Sequence, residues 1–376
     1  MRRAMAEVNL AAIGSNVMRV KAAAPDARLL AVVKADGYGH GMIPAARVAR
    51  ATGADYLGVA LPSEAIEVRE SGDGGPLLCW LHTPDDDLTE CVARDVELSV
   101  ASPDTLEQVC EAGRHTRRRA RIHLKVDTGL GRNGATIADW SRLIAAALAR
   151  QDDGLVEIVG IWSHLACSDQ PDSPVTARQV GVFRDALAQA EEGGLVPELR
   201  HLANSGGIFA HPDTHFDMVR CGIAIYGLTP GPAIGSSAAL GLIPAMTVGT
   251  ELALVKRVPG GQGVSYGHRY RTRRATRLAL VPVGYADGVP RSGSSRIPVQ
   301  INGQRFTVSG IIAMDQMVID IGDTPAKPGD EVLLFGSGRH GEPTADDWAI
   351  ACGTINYEIV TRIGPRIPRR HLGGAA

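Results

Sequence analysis

The chain has 376 residues, of which 44% are hydrophobic and 21% are charged, and this ordinary globular composition excludes a disordered protein. Its 39 basic and 41 acidic side chains give a formal net charge of −2, which argues against nucleic-acid binding. No apolar run reaches the length of a membrane span, and the N-terminus lacks the apolar core of a secretory signal. The six cysteines are irregularly spaced, so we expect neither a metal site nor disulfides, and we expect a cytoplasmic location.

Eight apolar runs typical of β-strands occupy the first 230 residues. They are RLLAVVKA (28–35), DYLGVA (55–60), PLLCWL (76–81), VELSVA (96–101), ARIHLKVD (120–127), VEIVGIWSHL (156–165), ELRHLANS (198–205) and FDMVRCGIAIYG (216–227). Helical patterns separate most of them, most clearly at 41–52, 63–70, 103–113, 138–150 and 175–192. Eight alternations of strand and helix predict a (β/α)₈ barrel, with a doubly wound open sheet as the alternative.

The composition changes near residue 228, where a connector rich in Gly, Pro and Ser begins. Beyond this connector, short apolar runs are bounded by Gly, Pro and Asn, and helical patterns are few. Such a pattern predicts a mostly antiparallel β domain. We therefore predict a barrel over residues 1–240, followed by a C-terminal β domain over residues 241–376.

Functional residues of barrels gather at the C-terminal ends of the strands, so a polar residue there is a candidate. The first apolar run continues into LLAVVKADGYGHG, in which alternation places Leu30, Val32 and Lys34 on one face. Burial lowers the pKa of a lysine, and the neutral amine is the form that attacks a carbonyl group. The alternative is a lysine whose amine extends to solvent at the barrel rim.

The segment AVVKADGYGHG resembles the pyridoxal-phosphate (PLP) lysine motif of alanine racemases. Eight further segments are similar to motifs of that family, in the same order: HLKVDTGLGRNG (123–134), SHLACSD (163–169), NSGG (204–207), RCGIAIYG (220–227), VSYGHRY (264–270), GYADG (284–288), AMDQ (313–316) and INYEI (355–359). The resemblance covers almost the whole chain. It implies a PLP-dependent isomerase that interconverts L- and D-alanine for peptidoglycan synthesis, in a head-to-tail homodimer with shared active sites.

The resemblance also implies the residues that act on the substrate. Lys34 would hold the cofactor and act as the base that handles the α-proton on the D face of the substrate, and Tyr266 would be the base on the opposite face. Arg220 would face the pyridine nitrogen, to which a guanidinium can only donate, and His164 would help to hold Arg220. From the residues alone, three alternatives stay open. They are a turn tyrosine for Tyr266, half of an ion pair for Arg220 and a core histidine for His164.

A second lysine lies near the predicted site. Alternation places His123, Lys125 and Asp127 on one face of their strand. In several alanine racemases the lysine equivalent to Lys125 is carbamylated, which implies that a negative carbamate orients Arg132 toward the substrate carboxylate. The alternative is an ion pair between Lys125 and Asp127.

The last two strands of a barrel often end at a phosphate site, where backbone amides face the anion. This rule and the resemblance together predict the cofactor-binding residues Asn204, Ser205, Gly222, Ile223, Tyr38 and Tyr357. The resemblance assigns substrate contacts to Tyr285, Met314 and Asp315. Family members often carry cysteine and arginine just before this Met-Asp pair, whereas residues 310–313 here are Gly-Ile-Ile-Ala.

There are three alternatives to an alanine racemase. One is a relative of broader specificity or one that acts on serine, whose periplasmic versions would be expected to have a signal sequence, which is absent here. A barrel decarboxylase of basic amino acids places glutamate rather than arginine on the pyridine nitrogen. A non-catalytic PLP carrier resembles the barrel alone, so the β domain with Tyr266 argues against it.

Overall fold

The structure is a computed structural model, and it describes residues 4–373. Backbone packing divides these residues into two compact units. The barrel unit consists of residues 13–37 and 42–242, and the β unit consists of residues 4–12, 38–41 and 243–373. No helix among these residues is both long enough and apolar enough to span a membrane.

The chain begins with strand β1 (Ala4–Asn9) of the β unit, followed by helix α1 (Leu10–Ala23). Eight parallel strands of the barrel unit come next: β2 (Arg28–Val32), β3 (Tyr56–Val59), β4 (Leu77–Cys79), β5 (Glu97–Val100), β6 (Ala120–Lys125), β7 (Val156–Trp162), β8 (Leu199–His201) and β9 (Met218–Cys221). Their order in the sheet is β8-β7-β6-β5-β4-β3-β2-β9. The sheet nearly closes, because Ala203 O, just beyond β8, accepts the Arg220 N–H at 3.0 Å. The predicted barrel and all eight predicted strands are confirmed.

Helices follow most barrel strands: α2 (Met42–Ala51), α3 (Pro62–Glu70), α4 (Thr89–Ala93), α5 (Pro103–Thr116), α6 (Ile137–Asp152), α7 (Pro174–Glu192) and α8 (Ser205–Ala210). Side-chain oxygens cap four of them at the N-terminus, where Ser102, Thr136, Ser173 and Asn204 accept backbone N–H groups. The five predicted helices are confirmed. The sequence reading missed α1 and α4.

The β unit has ten further strands: β10 (Met246–Glu251), β11 (Leu254–Val258), β12 (Gly263–Val264), β13 (Tyr270–Arg271), β14 (Thr276–Val281), β15 (Pro298–Ile301), β16 (Gln304–Thr307), β17 (Met317–Gly322), β18 (Glu331–Phe335) and β19 (Arg369–Leu372). They form sheets of six strands (β16-β15-β18-β10-β1-β19), three strands (β11-β14-β17) and two strands (β12-β13). Helices α9 (Ala345–Cys352) and α10 (Asn356–Thr361) complete the unit. Every strand pair is antiparallel except β1 with β19, which confirms a mostly antiparallel domain.

The N-terminal strand corrects the predicted barrel over residues 1–240. Strand β1 lies in the six-stranded sheet of the β unit, where Ala6 pairs with Val248 of β10 and Arg369 of β19. Its side chains alternate between buried and partly exposed, whereas every residue of β3 or β9 is buried. Burial on one face is typical of an antiparallel sheet, and burial on both faces is typical of a barrel strand.

Candidate active site

Lys34 follows β2 and opens a helical turn with an unusual backbone. Residues 35–37 all have left-handed torsion angles, with φ of 52°, 51° and 61°. This conformation costs an L-residue roughly 1–2 kcal/mol, so the surrounding structure must hold it. The Glu64 carboxylate does so in part, because Oε1 accepts the Ala35 N–H at 2.7 Å. Backbone strain of this kind concentrates at functional sites, and it sets the direction of Lys34.

The environment of Lys34 favours a neutral amine. Burial lowers the pKa of Lys34, and the positive charge of Arg132 lowers it further, while Glu64 acts in the opposite direction. The Lys34 Nζ lies 5.7 Å from the centroid of the Trp80 ring. A half-buried amine beside an aromatic ring and a second cation is the environment that the sequence predicted for a nucleophilic lysine.

Lys125, at the end of β6, is 4% exposed, and its Nζ lies 4.1 Å from the centroid of the Trp162 ring. Burial, followed by the charges of Arg220 and Arg132, lowers the pKa of Lys125 to about 7. The alternative ion pair with Asp127 does not form within residues 4–373, because that carboxylate accepts the backbone N–H groups of residues 129–131. Burial and the two arginine charges therefore favour the neutral form of the Lys125 amine.

Arg220 of β9 is held by acceptors alone. Its Nη2 donates to Ser163 O at 2.7 Å and to Leu202 O at 3.1 Å, and it lies 3.3 Å from His164 Nδ1. Its Nη1 lies 3.2 Å from His201 Nδ1. Among residues 4–373, no carboxylate pairs with this buried guanidinium. The structural ion pair considered for Arg220 is therefore absent from the described residues.

The neighbours of Arg220 respond to its charge. Burial lowers the pKa of Arg220 to about 9, and Arg132 contributes to this shift. Burial and then the Arg220 charge lower the pKa of His164 well below its usual range. His164 is consequently neutral at pH 7 and accepts a hydrogen bond at Nδ1, as its contact with Arg220 requires.

The predicted phosphate residues lie at the ends of β8 and β9. Asn204 caps α8, where its Oδ1 accepts the Gly207 N–H at 3.0 Å and the Ser168 hydroxyl at 2.7 Å. Its oxygen is thus occupied by the fold, and its amide group remains as a donor. Ser205 Oγ accepts the Gly222 N–H at 3.1 Å and lies 3.5 Å from Cys221 Sγ. Ile223 begins the 3₁₀ turn after Gly222, and the first amides of such a turn have no partner inside it.

Two predicted cofactor residues, Tyr38 and Tyr357, lie together in the β unit. Their ring centroids are 6.2 Å apart, with the planes inclined at 49°. Gly39 next to Tyr38 has a φ of 79°, and a Cβ there would lie 2.5 Å from Val360 O. Only glycine therefore permits this close approach, which places the two tyrosines side by side.

Tyr266 is 66% exposed in the β unit and follows a strained residue. Ser265 has a φ of 58° and a ψ of −168°, a combination that is found almost only in glycine. Its hydroxyl donates to Ile311 O at 2.5 Å and so holds the strained backbone in place. Gly267 on the other side has a φ of 67°. The loop is shaped to present an exposed phenol in a fixed direction.

The three predicted substrate contacts, Tyr285, Met314 and Asp315, lie on two segments that the backbone joins. The Tyr285 N–H donates to Ala313 O at 3.1 Å, and a Cβ on Gly284 would lie 2.4 Å from Met314 O. Arg366 Nη2 donates to Asp315 Oδ1 at 2.6 Å. The close packing at Gly284 holds together the two segments that carry the three residues.

Comparisons with known proteins identify the family. The model for the N-terminal domain of alanine racemase matches residues 8–230, and the model for the C-terminal domain matches residues 245–371. Two similar proteins, both called alanine racemase, come from Frankia casuarinae (52% identity) and Streptomyces coelicolor (53% identity). Each alignment covers 98% of this chain and 96% of the relative. The chain belongs to the alanine racemase family.

Solved structures agree with this family. The crystal structure of alanine racemase from Streptomyces lavendulae is 51% identical, with a TM-score of 0.99 over 100% of this chain and 98% of that one. An alanine racemase from Bacillus anthracis with bound L-Ala-P is 32% identical, with a TM-score of 0.91 over 99% and 96%. The fold is therefore that of alanine racemases over its full length.

Within the part of the chain that the structure describes, the predicted site residues fall into two groups. The barrel unit holds Lys34, Lys125, Arg132, His164, Asn204, Ser205, Arg220, Gly222 and Ile223. The β unit holds Tyr38, Tyr266, Tyr285, Met314, Asp315 and Tyr357. The functions of all these residues stay predictions.

Two aromatic side chains at the end of the barrel were not predicted from the sequence. Trp80 and Trp162, with ring centroids 6.2 Å apart, link the cations at the end of the barrel, because Lys34 lies over the first ring and Lys125 over the second. Arg220 Cζ lies 4.8 Å from the centroid of the Trp162 ring. Their positions at the ends of β4 and β7 were the available signal, since barrels place functional residues there.

Proposed function

We propose that the chain is a PLP-dependent racemase that interconverts L-alanine and D-alanine. The observation that carries this proposal is the cationic end of the barrel. There a half-buried Lys34 with a lowered pKa opens a strained turn, and a buried Arg220 has acceptors but no carboxylate partner among residues 4–373. This donor set suits an aldehyde-bearing aromatic dianion whose ring nitrogen is an acceptor.

The residues of the barrel end fit PLP by their chemistry. Lys34 would hold the cofactor covalently, and Arg220 has two of its five N–H donors left for the ring nitrogen. Ser205 and the Ile223 amide would bind the phosphate, and Gly222 would hold the Ser205 hydroxyl in place through its own N–H. The family resemblance adds Asn204, Tyr38, Tyr357 and His164. Bound PLP draws electrons from the substrate Cα and so makes its α-proton acidic.

Racemisation needs a base on each face of Cα, and we assign these roles to Lys34 and Tyr266. Lys34 supplies an amine whose lowered pKa permits it to take a proton near neutral pH. Tyr266 is largely exposed, as a residue would be that completes the site of a second subunit. The proposal therefore includes a head-to-tail homodimer with two shared sites.

Arg220 favours proton exchange over other reactions of an amino acid. Its guanidinium stays protonated, so it can donate to the ring nitrogen but cannot protonate it. Through this contact Arg220 would keep the ring nitrogen unprotonated and would favour the return of a proton to the substrate Cα. The same property suppresses transfer of the amino group.

We assign recognition of the substrate carboxylate to Arg132, which makes no ion pair with any carboxylate of residues 4–373. A carbamate on Lys125 would orient Arg132. The neutral Lys125 amine would attack the carbon of CO₂, forming an N–C bond and releasing one proton. Its pKa of about 7 supports this step, because the ammonium form has no lone pair to react.

The Lys125→Ala variant should raise the KM for alanine about tenfold or more while kcat changes less, because Arg132 loses its anionic partner. Added acetate should partly restore the low KM. For the wild type, lowering the pH below about 7 protonates the Lys125 amine and should raise the KM for alanine. Returning the protein to higher pH with added bicarbonate should restore the low KM. Steady-state kinetics, with the exposed Lys256→Ala as control, would contradict the carbamate if neither acetate nor bicarbonate changed the KM.

Alanine is the favoured substrate because Tyr285 and Met314, on the two segments that also carry Asp315, would crowd a side chain larger than methyl. A racemase of broader specificity, or one for serine, is the alternative within the family. Supply of D-alanine for peptidoglycan would place the enzyme in the cytoplasm, which agrees with six cysteines that form no disulfide. PLP, alanine and a second copy of the chain are the proposed partners.

One assay tests the proposed function directly. Purified protein with PLP is incubated separately with L-alanine, L-serine and L-lysine, and the optical rotation of each is followed. We expect the rotation of alanine to fall to zero fastest, without release of CO₂. An unchanged rotation for alanine, or faster loss for serine, would contradict the assignment.

A further inference from the structure

Three buried polar side chains of the barrel have no place in the chemistry above. Glu97 of β5, His123 of β6 and His201 of β8 are 1%, 0% and 0% exposed. They form a continuous chain of hydrogen bonds, in which His123 Nε2 lies 2.7 Å from Glu97 Oε2 and His123 Nδ1 lies 2.9 Å from His201 Nε2. The chain ends at Arg220, since His201 Nδ1 lies 3.2 Å from Arg220 Nη1.

The arginine fixes the position of every proton in this chain. A guanidinium only donates, so His201 Nδ1 must accept, and a neutral His201 then carries its proton on Nε2. That proton points at His123 Nδ1, which must accept in turn. His123 therefore carries its proton on Nε2 and donates it to the Glu97 carboxylate. Each of the three contacts joins one donor to one acceptor.

Other proton arrangements place two donors against each other. If Glu97 were protonated and donated to His123, or if His123 were doubly protonated, His123 Nδ1 would donate to His201 Nε2. His201 would then carry its proton on Nδ1, facing the N–H of Arg220 at 3.2 Å. A buried contact between two donors leaves both without an acceptor, which costs far more than one hydrogen bond contributes.

Packing and charge support the same arrangement. The His201 ring stacks on Trp162, with centroids 5.5 Å apart and planes inclined at 7°, so the imidazole cannot turn. Burial and the Arg220 charge lower the pKa of His201 well below its usual range, which keeps the ring neutral. At the far end Glu97 Oε1 forms an ion pair with Arg121 Nη2 at 3.2 Å.

We propose that Glu97 is a positioning residue for Arg220, acting through His123 and His201 to hold both imidazoles neutral with the proton on Nε2. Arg220 then meets only acceptors on its protein side, and its remaining N–H donors face the ligand. The functional consequence rests on the proposed function, because it concerns the group that would bind the pyridine nitrogen. The proton arrangement itself belongs to the protein and holds with or without that function.

The first test measures the tautomers in the wild-type protein as purified. Histidine labelled with ¹⁵N distinguishes protonated from unprotonated ring nitrogens, and the spectra of His123→Gln and His201→Gln assign the two signals. We expect both rings to show a protonated Nε2 and an unprotonated Nδ1 throughout the neutral pH range. A proton on Nδ1 of either ring, or an imidazolium, would overturn the proposal.

The second test asks whether Glu97 acts at the cofactor. Glu97→Gln keeps the size of the side chain, but its amide must face a donor, either His123 Nε2 or Arg121. We expect a roughly tenfold weaker affinity for PLP and an altered absorption spectrum of bound PLP, because His201 no longer offers Arg220 Nη1 a fixed acceptor. Glu157→Gln is the matched control, since Glu157 is half-exposed and lies 3.9 Å from Arg121 without contacting the histidines.

The outcomes separate the two proposals. If folded Glu97→Gln binds PLP with the affinity and spectrum of the control, the link from Glu97 to Arg220 fails even if the enzyme racemises alanine. If the wild type binds no PLP, the proposed function fails, and the tautomer measurement still decides the proton arrangement. Should Glu97→Gln not fold, the wild-type spectrum alone supports or refutes the chain of donors.

Discussion

The Tyr266→Phe variant should racemise alanine about 10²–10⁴ times more slowly than the wild type, because one of two general bases is lost. Covalent binding of PLP to Lys34 should survive, since the phenol takes no part in it. Residual exchange of the α-proton with solvent should favour D-alanine, the enantiomer assigned to Lys34. Polarimetry and proton exchange in D₂O measure both effects.

The matched control is Tyr270→Phe, which removes a phenol from the same region. The Tyr270 hydroxyl donates to Asp320 Oδ2 at 2.8 Å and has no role in the proposed site. We expect this variant to keep most of its activity. Equal losses in the two variants would indicate that removal of either phenol damages the fold and would contradict a specific role for Tyr266.

Mixing inactive variants tests whether the site is shared. Lys34→Ala and Tyr266→Phe proteins are combined under conditions that permit subunit exchange. Half of the resulting dimers are mixed, and each has one intact site of two, so about a quarter of wild-type activity should return. If exchange is demonstrated and no activity returns, both residues serve one chain's site and the shared-site model is wrong.

The Arg220→Glu variant should lose racemisation by about 10²–10³ and gain transfer of the amino group, with release of pyruvate. A carboxylate accepts a hydrogen bond from a protonated ring nitrogen, whereas the guanidinium only donates. Arg220→Lys is the control, since it keeps a positive donor. The ratio of pyruvate to D-alanine is the measurement, and an unchanged ratio in Arg220→Glu would reduce Arg220 to a structural role.

The fold was largely predictable because most of its elements carry strong local signals. The barrel strands are nearly continuous apolar runs, as burial on both faces requires. Helix α1 has a weaker signal, since it contains Gly14, where a Cβ would lie 2.9 Å from the Thr52 side chain. Close packing selected a poor helix former there. The pairing of β1 with β10 and β19 depends on contacts distant in sequence and has no local signal.

The site was predictable where a single residue carries the chemistry. Lys34 and Arg220 are charged residues in apolar strands, so each required an explanation from the sequence alone. The chain of hydrogen bonds from Glu97 to His201 was not predicted, because it joins three strands whose side chains meet only in the closed barrel. The contact between Trp80 and Trp162 was not predicted for the same reason.

The most direct test of the whole account is to trap the cofactor on its lysine. Purified protein with PLP is reduced with borohydride, digested and mapped by mass spectrometry. We expect one modified peptide, with the label on Lys34, and a yellow protein that loses its colour on reduction. A label on Lys125, or a protein that remains colourless with added PLP and takes up no label, would contradict it.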